Sequence, residues 1–350
     1  MTLIPEYPKY APRVPATGPT ATDPTTAGST VDSPRRGYWW KAMLGGLGLW
    51  VLTVIVTILT RNANLVPTLI LVGSFLVPFS ASLLAIEKTR GRINPTRLLM
   101  AFFVGGIFGV LAASIFEAKV SGTLTSLLAA GFIEEAVKLT VLACAARHIV
   151  RRTPGLGAWL GVVVGAGFAA FESAGYALNS SLDGGGIDLL ALLETEALRG
   201  LLAPAGHILW TAIVGAALFA VLGRLDARRA AEAGPGRAPS TAPIAAWIPL
   251  VLTYLGVAVL HAAWDLAGNI AGYIAVAVTG AGRYQATYGF TPEAVVAEAQ
   301  NLANGLYLAG VIVVTVLGVV WLTASVLQYE ATQSRNRPRP APMSSALIPE

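Results

Sequence analysis

Eight apolar runs of about twenty residues recur along the chain, at 42–60, 65–86, 98–116, 121–146, 158–180, 200–222, 244–268 and 304–327. A run of that length crosses the roughly 30 Å hydrocarbon core of a bilayer as a helix. Inside lipid only helices and closed barrels satisfy their own backbone. The fold class that follows is all-α, a polytopic membrane helix bundle of about eight transmembrane helices, the seventh continuing as helix to about Val278. Composition agrees: 12% of the 350 residues are charged and the mean hydropathy is +0.64, whereas a soluble domain carries about 25% charged residues.

The net charge of +5 does not indicate nucleic acid, because the basic residues sit in alternate loops. Arg35, Arg36 and Lys41 precede the first run; Lys88, Arg90, Arg92 and Arg97 follow the second. Arg147, Arg151 and Arg152 follow the fourth, and Arg224, Arg228, Arg229 and Arg237 the sixth. The segment 181–199, between the fifth and sixth runs, reads as an acidic loop with Asp183, Asp188, Glu194 and Glu196. The positive-inside rule then predicts both termini in the cytoplasm, as an even number of spans requires. Three regions are expected: a disordered tail over 1–38, the transmembrane domain over 39–328 and a second disordered tail over 329–350. The tails are rich in Pro, Thr, Ser and Arg and lack an apolar core. The linker 232–243 is also predicted to be flexible, and Asp183 to Gly186 to form a turn. Cys144 stands alone, which excludes an intramolecular disulfide and a thiolate metal cluster. The Ala- and Gly-rich composition fits a GC-rich bacterial genome and a multi-pass protein of the bacterial plasma membrane.

Ionisable residues inside the runs are few. Glu134, Glu135 and Lys138 lie in the fourth, Glu172 in the fifth, His207 in the sixth, and His261 with Asp265 in the seventh. A charge at mid-bilayer costs about 2.5–3.5 kcal/mol on insertion scales, so the five normally charged residues sum to roughly 12–17 kcal/mol unless pairing and water offset it. With a rise of about 1.5 Å per residue, all fall between the membrane centre and its outer half. At about 100° per residue, Glu134, Lys138 and Glu135 share one helix face, and so do His261 with Asp265 and Phe168 with Glu172. Gly165, Gly167, Ala169, Ala170, Ala174 and Gly175 in the fifth run permit close helix packing.

Each feature has a structural alternative. Glu135 with Lys138 is also what a stabilising i, i+3 ion pair looks like. His207 alone suits an interhelical hydrogen bond, Asp265 suits a partner that orients His261, and His148 suits an interfacial loop. Taken together, two histidines and four carboxylates at one depth are the ingredients of a hydrolytic or metal site. Imidazole and carboxylate are zinc ligands, and a buried glutamate suits general acid–base work. The signatures His-Glu-x-x-His, Gly-x-Gly-Asp and Gly-x-Ser-Gly are absent.

The motifs "EEAVK" (Glu134, Glu135, Lys138), "FAAFE" (Phe168, Glu172), "GHILWTA" (His207) and "HAAWD" (His261, Asp265) resemble, in order and on successive spans, those of the PrsW family of intramembrane metalloproteases. That family is grouped with the CAAX prenyl endopeptidases and Abi proteins. The resemblance covers roughly residues 40–325. It implies a membrane-embedded endopeptidase that cuts a single-pass membrane protein near its extracytoplasmic boundary, such as the first cut of an anti-sigma factor. It implies Glu134 and Glu135 as the catalytic pair with Lys138, and Glu172, His207, His261 and Asp265 as holders of a metal or of the attacking water. Glu172 and His261 thus belong to both sets. The cofactor implied is Zn2+, with a metal-free water activated by glutamate as the alternative. The expected partners are the membrane substrate and the bilayer. Two rival readings use the same residues: a proton- or cation-coupled transporter, in which Pro204 and Gly206 break the sixth span beside His207, and a catalytically dead scaffold.

Overall fold

The computed structural model describes residues 37–182, 186–232 and 243–335. Most of the two expected tails, most of the 232–243 linker and Asp183 to Gly185 lie outside the described residues. The chain forms ten α-helices and no strand among the described residues. They are α1 (Tyr38–Thr60), α2 (Val66–Lys88), α3 (Pro95–Glu117), α4 (Thr123–Ala146) and α5 (Pro154–Leu182), followed by α6 (Leu189–Leu202), α7 (His207–Glu232), α8 (Ile248–Thr279), α9 (Ala281–Tyr288) and α10 (Glu293–Arg335).

Seven stretches are long and apolar enough to cross a membrane: 38–60, 63–88, 95–117, 154–182, 189–232, 244–279 and 293–332. The protein is therefore a multi-pass membrane protein. Helix α4, with 24 residues, matches these in length and differs by carrying Glu134, Glu135 and Lys138.

Three boundaries differ from expectation. The supposed loop 181–199 contains α6, whose start is capped by Asp188 accepting from the Ala191 N–H at 3.0 Å. Its acidic residues resemble a loop, yet Leu192 and Glu196 fall one turn apart on its buried side. The sixth run is therefore not one helix. The chain turns at 203–206, where Pro204 lacks an N–H and Ala205 and Gly206 bond back to the Leu202 carbonyl at 2.9 and 3.1 Å. Helix α10 begins at Glu293 rather than near residue 304 and runs through Arg335, so residues 329–335, expected to belong to the tail, are helical. The segment 293–303 is rich in Ala and Glu, good helix formers that carry the helix past its apolar stretch. Helix α8 ends at Thr279, close to the expected extension.

Helices α5 and α7 form the centre of the bundle. Of the most apolar stretch of α5, 72% is buried, against 6% for α1, whose leucines point outward. Helices α2 and α3 pack on α5, α4 packs between α3 and α8, and α10 packs on α8 and α7. The central seam is made by glycines spaced at four. A Cβ on Gly161 would stand 2.7 Å from the Ala212 Cα, and one on Gly165 2.8 Å from the Thr211 Oγ1. At one end of the bundle Arg97 donates to the His148 carbonyl at 2.9 Å, and Arg152 pairs with Asp226 at 2.9 Å.

Candidate active site

Helices α4, α5, α7 and α8 each contribute to one polar cluster. Mid-α4 presents Glu134, Glu135 and Lys138, all buried. Helix α5 presents Phe168 and, one turn on, Glu172. His207 is the first residue of α7 because the turn at 203–206 ends α6 just before it. Helix α8 presents His261 and Asp265.

The hydrogen-bond donors of Lys138 organise the cluster. An ammonium has three N–H donors and no acceptor. Here its Nζ lies 3.0 Å from Glu134 Oε2, 2.9 Å from Glu135 Oε1 and 2.8 Å from His207 Nδ1. His207 Nδ1 therefore accepts, so Nε2 carries the hydrogen and donates it to Glu172 Oε2 at 2.7 Å. His261 is held from the other ring nitrogen: its Nδ1 lies 3.0 Å from Glu135 Oε1, a carboxylate acceptor, and so carries a hydrogen. The His261 Nε2 then faces Glu134 Oε2 at 3.8 Å and Asp265 Oδ2 at 3.7 Å. Phe168 lies beneath Lys138, its ring centroid 4.0 Å from Nζ, a cation–π contact. The two imidazoles meet edge to face at 5.0 Å.

A cavity of about 550 Å3 opens on this cluster, within the size range of small-molecule and peptide sites. Glu134, Glu172, His207, His261 and Asp265 line it; Glu135 and Lys138 stand behind that wall. The two glutamates of "EEAVK" are thus unequal: one faces the cavity and the other holds His261 and Lys138.

The ionisable residues of the four motifs, Glu134, Glu135, Lys138, Glu172, His207, His261 and Asp265, meet here. His148 lies away from them, in the turn after α4. Sequence reasoning missed Arg199 on α6, which pairs with Glu172 and lines the cavity, together with Tyr176, Trp264, Tyr307 and Glu117. The leucine spacing in "LLALLETEALRGLL" was the signal for α6, and with it for Arg199.

Metal ligation can be tested on the donor set. Glu134, His207 and His261 each offer a ligand atom within 4.8 Å of the others. Glu134 therefore stands where Glu172 was expected; Glu172 lies beyond His207, bonded to it and to Arg199. Around tetrahedral zinc, bonds of about 2.0–2.1 Å place ligand atoms roughly 3.3–3.4 Å apart. Glu134 Oε2 lies 3.6 Å from His207 Nδ1 and 3.8 Å from His261 Nε2, each within a few tenths of an ångström of that spacing, and the two imidazoles offer nitrogens within 4.8 Å of each other. His261 meets the usual requirement that its other nitrogen be held by a carboxylate. His207 joins such a set only if Lys138 releases Nδ1. The residues fit a metal, with His261 the best-prepared ligand.

The pattern of the PrsW family of intramembrane metalloproteases matches residues 94–292, more than half of the chain. No curated protein and no solved structure matches it. The chain belongs to the PrsW family, and its activity is accordingly intramembrane proteolysis.

Proposed function

We propose that this PrsW-family protease hydrolyses a peptide bond of a single-pass membrane protein near its extracytoplasmic boundary, with Glu134 as the general base. The observation that carries the assignment is the inequality of the glutamate pair: Glu134 lines the cavity, whereas Glu135 is fully buried behind it.

Glu134 takes a proton from a water in the cavity as the water oxygen adds to the substrate carbonyl carbon. As the C–N bond breaks, the departing nitrogen receives that proton from Glu134. Glu135 accepts from His261 Nδ1 and so keeps Nε2 turned to the cavity. Lys138 offsets the charge of both carboxylates and holds His207 in one tautomer. Zinc is the ion we infer, because imidazole and carboxylate are its ligand types. Of the Glu134, His207 and His261 set, the two histidines would hold it once Lys138 turns aside, and Asp265, whose Oδ2 lies 3.7 Å from His261 Nε2, would be the third ligand so that Glu134 stays free as the base. A zinc ion there would supply Lewis acidity and a nucleophilic water at neutral pH.

Helix α4 acts in this reading as an eighth crossing, its charges turned inward to the cluster. The basic loops at one end of the bundle support a reading in which the termini are cytoplasmic and the cavity opens in the outer half of a bacterial plasma membrane. A substrate of the anti-sigma-factor type, cut first on the outer side, suits that depth.

The test is cleavage of a single-pass membrane protein by the purified chain. E134Q and H261A are expected to abolish it, and undiminished cleavage by either overturns the assignment. Stoichiometric zinc in the wild type that is lost in H261A marks a metalloenzyme. Cleavage by a zinc-free wild type leaves Glu134 to activate the water by itself. The transporter reading retains one feature, the helix broken beside His207. Proton flux in proteoliposomes, abolished by E172Q, would favour it.

A further inference from the structure

Helix α6 is separate from α7, so something other than chain continuity must fix its place. One side is held by Glu196, which is buried and accepts from the Trp50 indole N–H at 2.7 Å. The same carboxyl fills the space beside Gly73 of α2, where a Cβ would collide with it. Three residues on, Arg199 faces α5. Its Nε donates to Ser173 Oγ at 2.9 Å, its terminal nitrogen donates to Glu172 Oε2, and its guanidinium lies 4.1 Å over the Tyr176 ring. Three contacts on consecutive turns of α5 leave the planar fork little freedom.

The oxygen of Glu172 that Arg199 engages is the one that accepts from His207 Nε2. His207 in turn accepts from Lys138, and Lys138 donates to Glu134. A continuous series of hydrogen bonds thus joins Arg199 of α6 to Glu134. Without Arg199, Glu172 would hold His207 by a single contact and could rotate toward the open space.

We infer that Arg199 is a positioning residue: by clamping Glu172 it sets the ring of His207 and, through Lys138, the carboxylate of Glu134. The inference rests on the proteolytic reading and deepens it. Arg199 donates to no reacting atom; it acts through Glu172.

The test compares R199Q and R199K with the wild-type full chain in nanodiscs. One readout is cleavage of a quenched-fluorescent transmembrane peptide. The second is the 15N-histidine NMR signal of the His207 Nε2–H, assigned by its loss in H207Q. R199Q is expected to lower kcat by about 10–100-fold, the scale of a misplaced catalytic group, with KM changed less than about twofold. R199K is expected to lose less than R199Q, and the His207 signal to move in R199Q. An unmoved His207 signal, or an unchanged kcat, overturns the inference. Equal losses in R199K and R199Q with a lowered melting temperature make Arg199 a structural contact only, and also overturn it. If the wild type cleaves no peptide, the proteolytic reading fails, while the His207 signal still decides whether Arg199 orients that ring.

Discussion

The site is clamped between two helix seams built on different principles. The α5–α7 seam is a contact of backbones: Gly161 and Gly165 leave so little room that a methyl group would strike the opposite helix. The α4–α8 seam combines one such glycine, Gly131 facing Ala258 and Ala262, with polar stitches. Glu135 accepts from His261, and the Tyr254 hydroxyl donates to the Phe132 carbonyl at 2.9 Å. Between helices in lipid, where apolar contact brings no gain over lipid itself, close packing and hydrogen bonds do the holding. The first seam fixes where His207 and Glu172 stand; the second fixes how His261 and the glutamates are charged and turned. Damage to the first is expected to remove fold and activity together, whereas in the second the changes that spare Lys138, the shared cation of both glutamates, are expected to separate them.

The largest effect should come from G161L, which forces α5 off α7. Overpacking usually costs about 1–3 kcal/mol and occasionally more; here the added atoms would meet the Thr211 and Ala212 backbone rather than a side chain that can step aside, so the expected result is loss of folded protein in size-exclusion chromatography. K138M comes next, because it leaves two buried carboxylates without their cation. Breaking a buried pair this way costs about 3–5 kcal/mol, and both melting temperature and cleavage should fall. E134Q should separate the two properties. Cleavage falls by about 100–10,000-fold, the usual contribution of a general base, while the melting temperature stays near that of the wild type. Y254F removes one stitch worth about 1 kcal/mol. A small drop in melting temperature with cleavage within a few-fold of wild type is expected. Retained folding in G161L, or loss of folding in E134Q, would erase the distinction between the seams.

The membrane made part of this site legible. Charged residues are so costly in lipid that Glu134, Glu135, Lys138, Glu172 and Asp265 stood out against their apolar surroundings, and His207 and His261 with them. Helical period then placed them on shared faces, and the structure brings those faces together. The same contrast hid α6. Outside an unbroken apolar run, Glu194, Glu196 and Arg199 look like ordinary loop residues, and only the packing of α6 against α2 and α5 shows that Glu196 and Arg199 point inward. The division of labour within "EEAVK" was equally hidden. Adjacent residues on one helix differ by about 100°, and which of them meets a cavity depends on neighbours far away in sequence.

Lys138 has one further consequence. Its three partners come from different directions: two carboxylates on its own helix and an imidazole on another, with the Phe168 ring beneath. An ammonium is a tripod and meets such an arrangement. A guanidinium is a flat fork whose donors lie in one plane. Exchanging Lys138 for arginine would therefore preserve the charge and lose the shape, and the site depends on the shape.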